Sequence, residues 1–387
     1  MIIGAGRIGR GYVSELLLLN NCEITYFDQK AIIDKLNEVK SYTIHVLGNP
    51  NNDLKHENYK AYDIENETAL YNALRENEFV FTAVGGKHLK EIGEKLGKAY
   101  KKLIENNDIH IQNIVTCENW INPATDLRES IEQQLDGNVL ETFNINVGIS
   151  ESIIVATGTG CPKTYTLTNE MDTWVQNIRF LPIDKERLKG VVPNWQYFEF
   201  RENFGNLLIQ KIYTNNTSCT AMSYIGLLYG YEILCEACND KYLIQILDEL
   251  YVEINAALIQ GLGIDKDSQL EFSRHAKEKY TDLDIIDPMT RIARDPIRKL
   301  RPEDRFVTPA RLALKVGVKP WAIAMGMAAS FFYEDENDDS AGDLTRMRKE
   351  EGIPYILKNV CGLSENEELY SLVLQEVDKL KEKGLVK

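Results

Sequence analysis

The chain has no run of eighteen consecutive apolar residues, so nothing in it reads as a membrane-spanning helix. Positive charge is in short supply. The 44 Lys and Arg stand against 59 Asp and Glu, and a net charge of −15 would repel a phosphate backbone, which excludes nucleic acid as a general partner. The five histidines, His45, His56, His88, His110 and His275, show no metal-ligand spacing. Seven scattered cysteines, an odd number, read as reduced thiols rather than a disulfide framework. Cys235 and Cys238 are a CxxC pair inside a helical stretch without a second pair, so two helix-core thiols are expected there rather than zinc. The acidic run Glu334 to Asp339 lacks the spaced ligands and glycine of a calcium loop and reads as solvated. Metal-free chemistry is expected. Met1-Ile2-Ile3 leads straight into a glycine motif with no room for a signal peptide, which reads as a cytoplasmic protein. What remains suffices for two domains with real cores: 387 residues, 44% hydrophobic and 27% charged.

The glycine motif is Gly4-Ala5-Gly6-Arg7-Ile8-Gly9, set between an apolar stub and the apolar stretch Tyr12 to Leu19. A strand, a tight turn and a helix fit in that order. The first Gly allows the turn, the second lets backbone approach a pyrophosphate, and the third lets helix pack on strand, with phosphates at the helix N-terminus. Glu23 to Asp28 reads as a second strand ending in an acid where ribose hydroxyls of a dinucleotide would be bound. Asp28 would repel a 2′-phosphate, so NAD is expected rather than NADP. The alternative is a glycine turn with an unrelated surface Asp. The first strand is unusually short, which suggests that a few residues are missing ahead of it.

Strand and helix signals keep alternating. Phe79 to Val84 reads as a buried strand closed by Gly85-Gly86, so Val84 and Gly85 are expected near the cofactor. Leu89 to Asn106 has the period of a helix lying on a sheet, and Ile109 to Cys117 reads as the next strand. That strand ends in Cys117-Glu118-Asn119-Trp120, which places Glu118 and Asn119 at the C-terminal edge of a parallel sheet, where ligands of such folds bind. Either could instead cap the helix expected over Ala124 to Leu135. Val139 to Gly148 reads as a further strand, and Thr164 to Asn194 as a mixed handover between domains. The fold class is therefore α/β, a Rossmann-type doubly wound sheet in residues 1–195 followed by a mainly α-helical domain in 196–387.

In the second half, Thr217 to Asn239, Tyr242 to Gly261 and Gln269 to Tyr280 read as helices. Just before them, Lys211 and Asn216 stand five residues apart. A lysine can act as a general base only if burial or a nearby positive charge lowers its proton affinity, and an amide five residues on could hold a substrate oxygen. The bland alternative is a solvated lysine and a helix-capping Asn. Further on, Arg291 to Arg305 holds six basic residues against three acids, and Asp295-Pro296 looks like an N-cap followed by Pro at the first helical position. Such a segment suits an anionic ligand, or else surface ion pairs.

Gly4 to Gly11, Thr116 to Asn119, Asn146-Val147-Gly148, Lys211 to Gly226 and Arg291 to Arg305 together resemble, in order and spacing, the long-chain polyol (mannitol) dehydrogenase family. The resemblance runs over nearly the whole chain. It implies NAD(H)-dependent oxidation of a polyol secondary hydroxyl in a cleft between the domains, with Lys211 as general base and Asn216 and Asn119 polarising the reacting oxygen. Arg291 and Lys299 match the family's substrate-binding basic pair, with Arg294 and Arg298 as further candidates. The chain departs from the family at one signature position, where Cys219 stands for His. Three functions remain open: a hexitol-phosphate dehydrogenase, a hexuronate reductase, and a non-enzymatic NAD-binding protein whose site has decayed at Cys219.

Overall fold

A computed structural model describes residues 1–387 except Ile121, Thr157, Lys163, Thr164, Asn203 and Lys387. The chain divides into two compact units, Met1–Phe204 and Gly205–Lys387. Among the described residues no helix is long and apolar enough to cross a membrane. All seven cysteines are free thiols.

The first unit runs β1 (Ile2–Ile3), α1 (Ser14–Leu18), β2 (Thr25–Asp28), α2 (Lys30–Val39), β3 (Tyr42–Val46), β4 (Leu54–His56), β5 (Lys60–Asp63), α3 (Glu67–Glu76) and β6 (Phe79–Thr82). It continues with α4 (Leu89–Glu105), β7 (Gln112–Thr116), α5 (Pro123–Glu132), α6 (Gly137–Asn146), β8 (Val147–Glu151), β9 (Gly158–Thr159), β10 (Thr173–Val175), β11 (Leu181–Asp184) and β12 (Phe198–Arg201). Six strands form one parallel sheet in the order β5-β2-β1-β6-β7-β8. The order reverses beside β1, and in such sheets the ligand crevice lies outside the carboxyl ends of the strands flanking that point. One core gathers Leu89, Leu96 and Tyr100 of α4 with Leu127 and Ile131 of α5. Another holds Tyr12 and Leu16 with Ile44 and Val175 of a second sheet, β4-β3-β10-β9.

The strand expected over Val139–Gly148 is instead α6 followed by β8. An alternating pattern there would put Glu141 on the same face as Val139 and Phe143. In the helix, Val139, Leu140 and Phe143 share a face, and the Phe143 ring meets Tyr100 edge-on at 5.1 Å. The mixed stretch that follows contains β10 and β11; its first residue, Thr164, lies outside the described residues.

The second unit is mainly helical. Its elements are α7 (Phe204–Gln210), a π-helical segment Lys211–Asn216, α8 (Thr217–Leu228), α9 (Leu234–Cys238), α10 (Leu243–Ala256), α11 (Lys266–Thr281), α12 (Met289–Ala293) and α13 (Pro296–Lys299). Then come α14 (Val307–Lys315), α15 (Trp321–Ser330), α16 (Asp339–Glu350), α17 (Ile353–Asn359) and α18 (Glu368–Glu382). From Ala322 to Ser330 every residue of α15 is buried, as befits a helix at the centre of a core. A Cβ on Gly326 would come within 2.6 Å of the Ala221 Cβ, so glycine there lets α15 approach α8. The single helix expected over Thr217–Asn239 is broken, because the chain turns at Gly230 with φ +85° before α9. Cys235 and Cys238 are buried on α9, as read.

Candidate active site

In the first unit the glycine loop meets the ends of three strands. Gly4, at φ +103°, lies so close to β6 that a Cβ would stand 2.5 Å from the Ala83 carbonyl, and a Cβ on Gly9 would collide with the Gly4 carbonyl at 1.8 Å. A Cβ on Gly6 would meet nothing within 4 Å. Gly4 and Gly9 are thus required by packing, whereas Gly6 and Arg7 are exposed on an open face of the loop. From Arg7 to Val13 the chain is π-helical, and Ile8 packs against the core below. Asp28, at the end of β2, accepts the Ala5 amide at 2.6 Å and the Gln29 amide at 2.6 Å, one on each carboxylate oxygen.

Glu118 caps no helix. Buried at the end of β7, its carboxylate accepts the Thr82 hydroxyl at 2.8 Å and the Val84 amide at 3.0 Å, and so it shapes the Val84-Gly85 loop after β6. Burial pushes this carboxyl up to about 7. Asn119 is exposed one residue on. Beyond it the Trp120 ring lies against Gly86, where a Cβ would come within 2.0 Å of the indole.

In the second unit, α7, the π-helical segment and α8 follow one another directly. Widening a helix to i→i+5 bonding frees carbonyls that must find other donors. Here the Thr217 hydroxyl approaches the Ile212 carbonyl at 3.4 Å, Ser218 donates to Thr214 at 2.7 Å and Tyr280 donates to Asn215 at 2.9 Å. Lys211 and Asn216 begin and end this segment. Lys211 is 8% exposed, and burial first, then the charges of Lys279 and Arg305, lower its amine to about 8. Asn216 is half-buried and is no cap, since its backbone is already helical and its side chain makes no capping bond. Cys219, also half-buried, lies one turn further on with its Sγ 3.6 Å from the Asn216 carbonyl.

The basic segment is more internally paired than a free anion site. Arg291 grips Asp287 with Nε at 2.7 Å and Nη2 at 2.6 Å. Arg298 bonds Asp295 at 2.7 Å and Asp304 at 3.1 Å. Asp295 is left-handed at φ +60° and makes no side-chain cap, so the expected N-cap is not formed. Lys299, 4% exposed, donates to the carbonyls of Ile292, at 2.5 Å, and Arg294; burial and the Arg305 and Arg298 charges lower it to about 7. The Arg294 side chain is exposed. The run Glu334–Asp339 is partly structural, because Asp338 accepts the Asp295 amide at 2.8 Å.

Residues 1–196 match the family model described as mannitol dehydrogenase Rossmann domain, and 206–381 match mannitol dehydrogenase C-terminal domain. The chain belongs to the mannitol dehydrogenase family. It is 28% identical, over 98% of its length and 97% of the relative's, to mannitol-1-phosphate 5-dehydrogenase of Thermoanaerobacter pseudethanolicus. It is 27% identical, over 98% of both chains, to the protein of the same name from Clostridium acetobutylicum. Two solved structures share the fold at 14% identity. A substrate-free D-sorbitol dehydrogenase superposes with TM-score 0.75, covering 99% of this chain and 93% of that one. Pseudomonas fluorescens mannitol 2-dehydrogenase, in a ternary complex with NAD and D-mannitol, superposes with 0.72, covering 99% and 92%.

Two features of this mannitol dehydrogenase family chain escaped the sequence reading. Lys279 of α11 shares the charge environment of Lys211, Cys219 and Arg291. Arg305, 9% exposed, donates to Thr220 at 3.2 Å and also acts on Lys211. Lys279 sits in an unremarkable helical stretch, Lys266–Thr281, and its role depends on which helix that stretch packs against. Arg305 was legible only as one member of the basic run.

Proposed function

We propose that the protein is an NAD(H)-dependent, metal-independent oxidoreductase that interconverts a hexitol phosphate and a ketose phosphate, of the mannitol 1-phosphate and fructose 6-phosphate type. The observation that carries the reading is Lys211: a buried amine, with proton affinity lowered to about 8, on the same π-helical turn as the Asn216 amide. The names of the Thermoanaerobacter and Clostridium relatives supply the substrate class.

The first unit fits a dinucleotide. Gly6 leaves the loop open to a pyrophosphate at the head of the helix, and Asp28 retains acceptor capacity for ribose hydroxyls while opposing a 2′-phosphate. Arg7, Val84 and Gly85 border the same strand ends, with Glu118 bracing the last two. When bound, the nicotinamide takes up or gives the hydride of the carbinol carbon. Lys211 removes the hydroxyl proton as that bond breaks, and returns it in ketose reduction. Asn216 donates a hydrogen bond to the oxygen as its charge develops, a role that the family resemblance also gives to Asn119. Arg291, whose Nη1 lies outside the Asp287 fork, and the exposed Arg294 hold the phosphate, while Arg298 and Lys299 brace the segment that carries them. Free thiols throughout suit a cytoplasmic setting.

The test is an NADH-oxidation assay with fructose 6-phosphate, fructose, fructuronate and tagaturonate. Fructose 6-phosphate is expected to give the highest kcat/KM. A higher value for either uronate would replace the substrate class with a sugar acid.

A further inference from the structure

α11 is fastened to the segment that carries Lys211. The Gln210 amide donates to Gln269 at 3.2 Å, Gln269 donates to Thr214 Oγ1 at 2.9 Å, and Tyr280 OH donates to the Asn215 carbonyl at 2.9 Å. The last of these bonds ties the side chain next to Lys279 in sequence to the segment that carries Lys211. Lys279 is half-buried in the field of Asp287, which also accepts the Arg291 fork. Two lysines held together away from bulk water disfavour the doubly charged state, so one of them tends to give up its proton.

We propose that Lys279 is a positioning residue for the reaction: its ammonium, on the helix that the Tyr280–Asn215 bond fastens to the Lys211 segment, opposes protonation of Lys211 and so favours the form that accepts the substrate's proton. This rests on reading Lys211 as the base. Lys211 faces cations from two elements, Lys279 on α11 and Arg305 ahead of α14, and the Cys219 thiol on α8. Also packed against the segment, α10 brings Tyr251 near Cys219 and turns Glu253 to the α15 N-terminus. Burial takes both amines to about 8, with different charges around them: Cys219 acts on both, Lys211 is opposed by Lys279 and Arg305, and Lys279 has Asp287 in its favour and Arg291 against it. Of the two, only Lys279 has a carboxylate acting in favour of its charge.

Removing the Lys279 charge should raise the proton affinity of Lys211. In Lys279→Met the bend of the kcat/KM profile near pH 8 is expected to move up by about one unit in both reaction directions, since both report the same group. Lys279→Arg should restore the parent profile, and the KM for NADH should stay unchanged in both. Independently of turnover, the pH at which Lys211 is half-reactive towards acetic anhydride, read by peptide mass spectrometry, should move by the same amount. If Lys279→Met yields no folded protein, Lys279→Gln carries the same test. A bend and an acylation midpoint that both stay in place overturn the proposal, as does a loss of rate equal at every pH. Should Lys211→Met retain activity, the base reading fails instead, and the acylation midpoint still decides whether Lys279 acts on Lys211.

Discussion

Val84 donates its amide to the Glu118 carboxylate at 3.0 Å, and this bond ties the end of β7 to the loop that follows β6. Thr82 holds the other carboxylate oxygen at 2.8 Å. Because burial raises the carboxyl from its ordinary 4.5 to about 7, the folded chain binds this proton more tightly than the unfolded chain does. The stability it contributes is full below pH 4.5 and is lost as the pH rises through about 7. Glu118→Gln should flatten that part of the stability-pH curve in thermal melts. Glu118→Ala, which strands the Val84 amide, should cost about 1–3 kcal/mol and weaken NADH binding. An Ala variant with the parent's Tm and NADH affinity would refute the bracing role.

Asp28 should decide the cofactor. Its carboxylate stands at the glycine loop through the Ala5 amide, 2.6 Å away, where a 2′-phosphate would add a second negative charge. The parent is expected to prefer NADH over NADPH by roughly a hundredfold or more in kcat/KM, the value of one or two charge-assisted contacts. Asp28→Ser should narrow the preference and also raise the KM for NADH, since the Ala5 and Gln29 amides lose their acceptor. Equal turnover of the unmodified protein with both cofactors would sink this account.

Glu253 braces the helical core in a comparable way. From α10 its buried carboxylate accepts the Ala322 and Ile323 amides at 2.7 and 2.9 Å, satisfying donors at the start of α15. Burial dominates its electrostatics, with Glu249 and Glu376 acting in the same direction, and lifts it from 4.5 to about 8. The folded chain again holds the extra proton, so stability should fall as pH rises from 4.5 through about 8. Glu253→Ala should lower stability by about 1–3 kcal/mol in urea titrations by orphaning two buried amides. A melting curve indifferent to both pH and this substitution would contradict the account.

Local signals made the parallel sheet legible: the glycine turn, the apolar run into Phe79–Thr82 and the helical period of Leu89–Glu105 all reappear in the fold. Asp28 was legible as an acid at the end of a strand, and it stands there, at the end of β2. The reading failed at α6, where three residues of one helical face imitate a strand. The π-helical character of Lys211–Asn216 was hidden for a different reason. Its freed carbonyls are satisfied partly by a hydroxyl from Tyr280, 65 positions away from Asn215, which no local pattern encodes. The basic segment was legible as charge rather than as pairing: Arg291 takes Asp287 four residues back and Arg298 takes Asp295 three back, both within local reach, while Asp304 reaches Arg298 through the fold of the following turn.

Cys219 is where this chain departs from the signature it otherwise resembles, and its surroundings sharpen what a histidine there should do. The thiol sits one helical turn beyond Asn216, beside Tyr280 and within the fields of Lys211, Lys279, Arg291 and Lys299. A thiol is a weak donor and a weak acceptor, whereas an imidazole does both well, so on the proposed reading the site would lack one firm polar contact to its substrate. Among so many cations an imidazole introduced here would stay neutral at pH 7 and act as a hydrogen-bonding group rather than a proton carrier. If the thiol suits a substrate that has no polar group at this point, Cys219→His should lower kcat/KM on the best substrate by about tenfold, the value of one hydrogen bond mismatched. The same variant should gain on a ketose carrying a hydroxyl there, with the KM for NADH unchanged. We expect this pattern because Lys211, Asn216 and Thr217 remain intact around the exchanged residue, as continued use of the site would require. A gain on every substrate in the screen would instead mean that the thiol merely impairs an ordinary member of the family.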